Sequence, residues 1–189
     1  MIIDHYRPKL FPRTFFAQLS IYLICLFLVT PVHAVEIFVT TNNAELDGDT
    51  CGDLNYTGGT GVSIAEAICI ANNNGTASDT IAFPLGNRVI TVTQSIPPVT
   101  GTIIINGNGI NNTVIQGSSS PDTANWRIFV VDPGGNLTLN DMTLRNGRCE
   151  GSCEFAGTQN GGAIANRGSL TIDQCVITGN IVSASDGGA

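Results

Sequence analysis

One stretch of this chain decides the fold because it occurs twice. The segment LTLNDMTL at residues 137–144 recurs as LTIDQCVI at residues 170–177, an offset of 33 residues (170 minus 137). At the same offset Val130-Val131 falls on Ala163-Ile164, and Gly135 falls on Gly168. Periods in this range are typical of solenoids, in which each coil buries its apolar residues by stacking on its neighbours. The repeat therefore predicts an all-β fold, a right-handed parallel β-helix.

The same type of sequence pattern continues through the rest of the chain after residue 79. Short apolar and β-branched segments alternate with Gly, Asn, Asp and Pro, which predicts short strands without intervening helices. Beyond residue 79 the predicted strands cover residues 80–83, 89–93, 102–105, 113–115, 128–131, 137–139, 142–144, 170–172 and 176–177. One earlier strand is predicted at residues 35–41. Gly161-Gly162-Ala163 recurs at 187–189. We therefore expect β-helix coils over 80–189 that are truncated at their C-terminal end, with further coils after Ala189.

One helix is predicted ahead of the coils, within a cap region at residues 35–79. Ser63 and Glu66 match a capping box, in which each side chain accepts a hydrogen bond from the other residue's backbone N–H. Ile64, Ala67, Ile68 and Ala71 recur at the spacing of one apolar helical face, and 72–75 (NNNG) ends the pattern. Because an open coil end exposes apolar core and unpaired strand edge, we expect this helix to cover the N-terminal end.

Residues 1–34 read as a signal peptide. Arg7, Lys9 and Arg13 precede an apolar run at 21–29, and Val32-His33-Ala34 offers small residues for cleavage after Ala34. The alternative is an uncleaved membrane anchor, because 15–35 carries no formal charge and is long enough to span a bilayer. We expect the mature chain to be exported, secreted or associated with the outer membrane at the cell surface, and to contain no membrane span.

The charge balance excludes two classes of partner. The full chain has a net charge of −7, with eight basic and 15 acidic residues. Removal of 1–34 takes away three cations and Asp4, which leaves five basic against 14 acidic residues and a net charge of −9. Such a chain lacks the excess of positive charge that would attract nucleic acid or anionic lipid.

Five of the six cysteines lie beyond the signal peptide, and they suit an oxidising compartment. The plausible local disulfides are Cys51–Cys69 and Cys149–Cys153, and zinc is the alternative occupant of these thiols. Cys175 lies within the apolar repeat, so we expect it to be a buried free thiol.

The segment SIAEAICIAN at 63–72 resembles the CSLREA-type signature of exported bacterial β-helix proteins. The segments at 78–84 (SDTIAFP) and 104–109 (IINGNG) are also similar to that group, whereas Gly161–Ile164 and Ile177–Asn180 resemble the repeats of polymorphic outer-membrane proteins. Val62 and Ala65 stand where the signature has cysteine and arginine. The resemblance implies a surface or secreted protein, of which this chain is an N-terminal fragment.

No catalytic cluster is visible in the sequence after residue 34, which lacks lysine and histidine and has only scattered arginines. The first functional hypothesis is therefore a non-catalytic adhesin, stalk or binding scaffold for carbohydrate or a host-surface ligand. The alternative is a polysaccharide lyase or hydrolase whose active site lies on coils beyond this chain. No cofactor is expected, although Asp47, Asp49 and Asp53 could hold a structural calcium instead of forming an ordinary acidic loop. Trp126 either stacks on a sugar or covers a coil.

Overall fold

The computed structural model describes residues 33–46, 51, 61–75, 78–124, 126–150 and 161–183. All of them belong to one compact unit, His33–Ala189. The predicted signal peptide therefore lies outside the described residues, apart from His33 and Ala34 at its end. No helix in the described ranges is long and apolar enough to cross a membrane.

The described chain is mostly β, with parallel sheets and one short helix. The helix α1 spans Ile64–Asn73. The strands are β1 Glu36–Phe38, β2 Asp79–Ala82, β3 Arg88–Thr91, β4 Thr102–Asn106, β5 Thr113–Gln116, β6 Phe129–Val131, β7 Asn136–Asn140, β8 Thr143–Arg145, β9 Arg148–Glu150, β10 Ile164–Asn166, β11 Ser169–Asp173, β12 Val176–Thr178 and β13 Ile181–Ser183.

These strands form four sheets in which every pairing is parallel. The largest sheet has the order β1-β2-β4-β7-β11, and the second has the order β3-β5-β8-β12. Two smaller sheets pair β6 with β10 and β9 with β13. Strands that are neighbours in a sheet come from successive stretches of the chain, and the predicted offset of 33 joins β7 to β11 and β8 to β12. Parallel pairing at that offset agrees with the repeat in the sequence.

The core is built from columns of apolar side chains that cross the largest sheet. One column takes one residue from each strand in register, namely Ile37, Ile81, Ile105, Leu139 and Ile172. The three central members are fully buried, whereas Ile172 is 42% exposed. Burial thus decreases at β11, which pairs with β7 alone among the described strands.

One part of the predicted register is wrong. Ala165 pairs with Val130 and Ile164 with Phe129, an offset of 35 rather than 33. Residues 132–135 join β6 to β7, whereas only residues 167–168 join β10 to β11, so the second turn is two residues shorter. Gly168 makes the short turn possible, since a Cβ there would lie 2.3 Å from the carbonyl oxygen of Gly135.

The predicted capping box is present at the start of α1. The Ser63 hydroxyl accepts from the Glu66 N–H at 3.1 Å, and the Glu66 carboxylate accepts from the Ser63 N–H at 2.7 Å. The helix extends two residues beyond the predicted end, to Asn73. It contacts β1, β2 and β4, which are the first three strands of the largest sheet.

The prediction of one buried face on α1 is too narrow. Ala65, Glu66 and Cys69 are fully buried as well, so most of the circumference is covered. Two neighbouring segments account for this, since the Ser63 hydroxyl donates to the carbonyl oxygen of Glu45 at 2.5 Å and Cys69 is bonded to Cys51. The helix is therefore enclosed between the sheet and the chain that precedes it.

Loss of the Ser63 hydroxyl should weaken this end of the molecule. Replacing a helix-capping serine with alanine costs about 1–2 kcal/mol, and Ser63 is fully buried. We expect Ser63→Ala to lower the free energy of unfolding by that amount in urea denaturation. Ser95→Ala, which removes an exposed hydroxyl, is the matched control and should change it by less than about 0.5 kcal/mol. Equal effects of the two variants would contradict the role given to the cap.

Candidate binding groove

A groove of about 300 Å³ opens beside the ends of β3 and β5. These strands are neighbours in the second sheet, with Thr91 in register with Gln116 at their last positions. Residues 92–93, which follow β3, supply one part of the wall. The longer connection from β5 to β6 supplies the rest. The described lining residues are Thr91, Val92, Thr93, Gly117, Ser118, Ser119, Thr123, Ala124 and Trp126. We call this feature the Trp126 groove.

The wall from β5 to β6 approaches the next stretch of chain closely at Gly117. A Cβ at that position would lie 2.5 Å from the carbonyl oxygen of Asn146 and 2.9 Å from the Cβ of Ala124. Real Cβ atoms do not approach so closely, so only glycine lets the connection fold back at this point. Gly117 therefore determines where the groove lies relative to the sheet.

The same connection is held by residues 146–148, which follow β8. The Asn146 side-chain amide donates to the carbonyl oxygen of Ser118 at 3.1 Å, and the Arg148 N–H donates to the carbonyl oxygen of Trp126 at 3.0 Å. Arg148 also forms an ion pair with Asp122 at 3.2 Å. Contacts at three points along 118–126 position the wall, so the groove is formed before any ligand arrives.

A ladder of polar side chains runs along the sheet from the edge of the groove. Gln116 donates to the Thr91 hydroxyl at 3.0 Å, and the Arg145 guanidinium donates to the Gln116 side-chain oxygen at 2.9 Å. Thr91, Gln116 and Arg145 occupy register positions on β3, β5 and β8. The ladder fixes the orientation of Thr91, which then accepts one hydrogen bond and keeps its own proton for donation.

Trp126 has two environments. Its half-buried side chain packs against the hydrophobic core and also lines the groove. The sequence offered two interpretations of Trp126, packing over the core and contact with a sugar. The two are compatible, because one side chain can do both.

The sequence-predicted cysteine pairs have different outcomes. Cys51 and Cys69 form a disulfide, as predicted. Cys149 is also disulfide-bonded, and its predicted partner Cys153 lies outside the described residues. Asp47, Asp49 and Asp53, the calcium candidates, lie outside them too. Among the residues that the structure does describe, no group of three or more metal-ligating side chains comes together.

The prediction that Cys175 is a buried thiol is wrong in part. The thiol is free, but it is half-exposed on the turn between β11 and β12. No described strand pairs with the outer edge of β12, so this end of the core is covered less than its middle. Partial burial, the largest influence, raises the pKa of the Cys175 thiol, and the nearby Asp141 and Asp173 raise it further.

Of the scattered arginines, Arg127 is the one that the structure buries. It is 8% exposed, and its guanidinium donates to the Cys149 sulfur at 2.9 Å. Burial lowers the pKa of Arg127, and the positive charge of Arg167 lowers it further. Arg167 itself pairs with Asp132 at 2.5 Å. These arginines hold parts of the fold together and lie outside the lining of the Trp126 groove.

No protein-family model, curated protein or solved structure matches the chain. The sequence pointed to Trp126 but not to the hydroxyl-bearing residues that accompany it. Thr91 and Gln116 are 25 residues apart (116 minus 91), whereas the clearest repeat in the sequence has an offset of 33. The signal for them in the sequence is the run of serines at 118–120, which ends six residues before Trp126.

Proposed function

We propose that this chain is an exported protein whose parallel sheets form a right-handed β-helix, and that this β-helix is a non-catalytic binding scaffold at the cell surface. The observation that carries the proposal is the register of the sheets. Each strand pairs in parallel with a strand from the next stretch of chain, and apolar residues occupy matching positions. Parallel crossovers within one sheet are right-handed in about 98% of cases, which supports the handedness.

The assignment to binding rather than catalysis rests on the surroundings of the carboxylates. Hydrolases and lyases of polysaccharides need clustered acid and base groups on one face. In the described ranges, Asp79 accepts from the Val35 N–H at 2.9 Å, Asp122 and Asp132 pair with arginines, and Asp141 and Asp173 lie near the Cys175 thiol, outside the groove lining. None of the described residues lining the Trp126 groove carries a titratable side chain. The groove therefore supplies contact surface without groups for proton transfer.

Export is supported by two independent features. Residues 1–34 have the charge and hydropathy pattern of a signal peptide, and Cys51–Cys69 is a disulfide of the kind found in oxidising compartments. Expression of the full chain in a bacterium, followed by N-terminal sequencing of the periplasmic product, should give Val35 as the first residue. An intact Met1 on a membrane-bound product would contradict export by cleavage.

Binding without turnover is tested on the processed chain. We expect it to be retained on at least one of a panel of surfaces, namely insoluble cellulose, chitin, pectin gel and fixed epithelial cells. We also expect no release of reducing ends or unsaturated sugars from the polysaccharides. A reduced and alkylated sample of the same chain, unfolded in urea, is the control for non-specific adsorption. Sugar release would establish the enzymatic alternative, and absence of retention on every surface would overturn the scaffold.

A further inference from the structure

We infer that the Trp126 groove binds a short stretch of an uncharged carbohydrate chain. This inference rests on the proposed function, since it assigns a ligand class to one site on the binding scaffold. Three properties of the groove lead to it: the neutrality of its lining, the availability of its hydroxyl groups, and the presence of one aromatic side chain among them.

The lining selects against charged ligands. Its described members are threonine, serine, glycine, alanine, valine and tryptophan, none of which is titratable. Asp122 and Arg148, which are held to this wall, form an ion pair with each other, and the Arg145 guanidinium donates to the Gln116 side-chain oxygen. A phosphate, sulfate or uronate that entered the groove would lose hydration without gaining an opposite charge, which is unfavourable. A neutral ligand has no such cost.

Several hydroxyl groups are available to a ligand. Thr93 and Ser119 are exposed, and their hydroxyls make no hydrogen bond within the described part of the chain. Thr91 accepts from Gln116 and retains its own proton. Hydroxyls that both donate and accept suit a ligand that itself presents many hydroxyls. By contrast, Ser118 and Thr123 are bonded to each other and to the Ser120 backbone, so they shape the wall.

Trp126 supplies the apolar surface that such a ligand also needs. Sugar rings present C–H groups on their faces and hydroxyls at their edges, and an indole ring beside hydroxyl groups offers contacts to both. Because Trp126 is packed against the core, its ring is already ordered and loses little freedom on binding. The volume of about 300 Å³ is at the small end of ligand pockets. It suits part of a chain rather than a large compact ligand.

The test uses the fact that Trp126 is the only tryptophan. Its fluorescence reports on this groove alone. We would titrate the processed chain with cellohexaose, xylohexaose and maltohexaose, and with hexagalacturonate as the charged probe of equal length. A saturable change with at least one neutral hexasaccharide is expected, with binding at least about tenfold weaker for hexagalacturonate, the factor that corresponds to about 1.4 kcal/mol.

Variants locate the site. By calorimetry, Trp126→Ala should weaken the best neutral hexasaccharide by about tenfold or more. Trp126→Phe, which keeps an aromatic ring if the alanine variant fails to fold, should weaken it less. Thr93→Ala combined with Ser119→Ala should weaken it by about three- to tenfold, through the loss of two hydrogen bonds. Phe38→Ala and Thr171→Ala remove an exposed aromatic residue and an exposed hydroxyl elsewhere, and should leave affinity unchanged.

The contrary results separate this inference from the scaffold proposal. Tighter binding of hexagalacturonate would show that the ligand class is wrong. If the groove variants and the control variants change the affinity for the hexasaccharide equally, the binding site lies elsewhere. If no hexasaccharide binds although the chain is retained on one of the surfaces above, the groove inference fails and the scaffold stands. If no surface retains the chain, the proposed function fails as well.

Discussion

Replacing Leu139 with alanine is expected to lower the free energy of unfolding by about 3–5 kcal/mol. Leu139 is fully buried in the middle of the core column, between Ile105 on β4 and Ile172 on β11. Alanine would remove most of the buried side chain and leave a cavity between two strands that are held at their spacing by backbone hydrogen bonds. Because the strands cannot close on the cavity, the loss should be near the upper part of the usual range. Urea denaturation followed by circular dichroism measures it.

Ile172→Ala is the matched control for this variant. Ile172 occupies the same register position one strand later, but it is 42% exposed. Its truncation should cost about 1 kcal/mol or less, since the side chain is largely in water already. The ratio of the two losses in free energy of unfolding measures how much a further covering strand contributes to stability. Similar losses for both variants would contradict the burial that the stacked sheet gives to Leu139.

Removal of the Cys51–Cys69 disulfide should have the second largest effect. The bond closes a loop of 18 residues and fastens residue 51 to the buried side of α1. Asn73 strengthens this attachment by donating to the carbonyl oxygens of Cys51 and Cys69, at 2.8 and 2.9 Å. Loop-closure entropy for this length corresponds to about 3 kcal/mol. We expect Cys51→Ser with Cys69→Ser to lose that amount in thermal and urea unfolding.

Cys175→Ser serves as the control for that double variant. It also removes a thiol, but one that is free and half-exposed. Its effect should stay below about 1 kcal/mol. If the double serine variant unfolds at the same urea concentration as the unmodified chain, the disulfide does not hold the helix in place. Mass spectrometry with and without reduction verifies that the bond is present in the starting protein.

The sequence predicted most of the strands because their determinants are local. Apolar and β-branched runs between turn residues identified β4, β7 and β11 to within one residue at each end. The capping box at Ser63 and Glu66 is also local, since both hydrogen bonds join residues three positions apart. The local sequence is sufficient where four or five neighbouring residues determine a structure.

Three strands, β9, β10 and β13, were not predicted. β9 has a charged residue at each end, Arg148 and Glu150, and β10 and β13 each end in a polar residue after only two apolar ones. Each becomes a strand through pairing with a distant partner, β9 with β13 and β10 with β6. The register of β10 was predicted incorrectly for a related reason, since the turn at residues 167–168 is shorter than its counterpart.

The groove could not be predicted from the sequence, because it depends on the lengths of successive stretches of chain. Offsets between paired strands vary from 24 for β2 and β4 to 44 for β1 and β2. Only when Thr91 and Gln116 are brought into register do Thr93, Ser119 and Trp126 face one space. The sequence does show that the lining is neutral, once its members are known.

Strands β7 and β11 stack at an offset of 33 residues, and a cross-linking experiment tests this register. Thr138 and Thr171 are register partners on β7 and β11, and both lie on the face opposite the core. Adjacent strands lie about 4.8 Å apart, within the range of about 4.4–6.8 Å that a disulfide spans between Cα atoms. Ser169 lies on the same face but two residues, or about 6.6 Å, further along the strand.

In a Cys175→Ser background, Thr138→Cys with Thr171→Cys should close an intramolecular disulfide on mild oxidation, detected by mass spectrometry after proteolysis. Thr138→Cys with Ser169→Cys should close at a much lower yield under the same conditions. That difference is the result expected from the parallel register. Equal yields, or a preference for the pair with Ser169, would contradict the parallel register of β7 and β11, on which the fold and the proposed function depend.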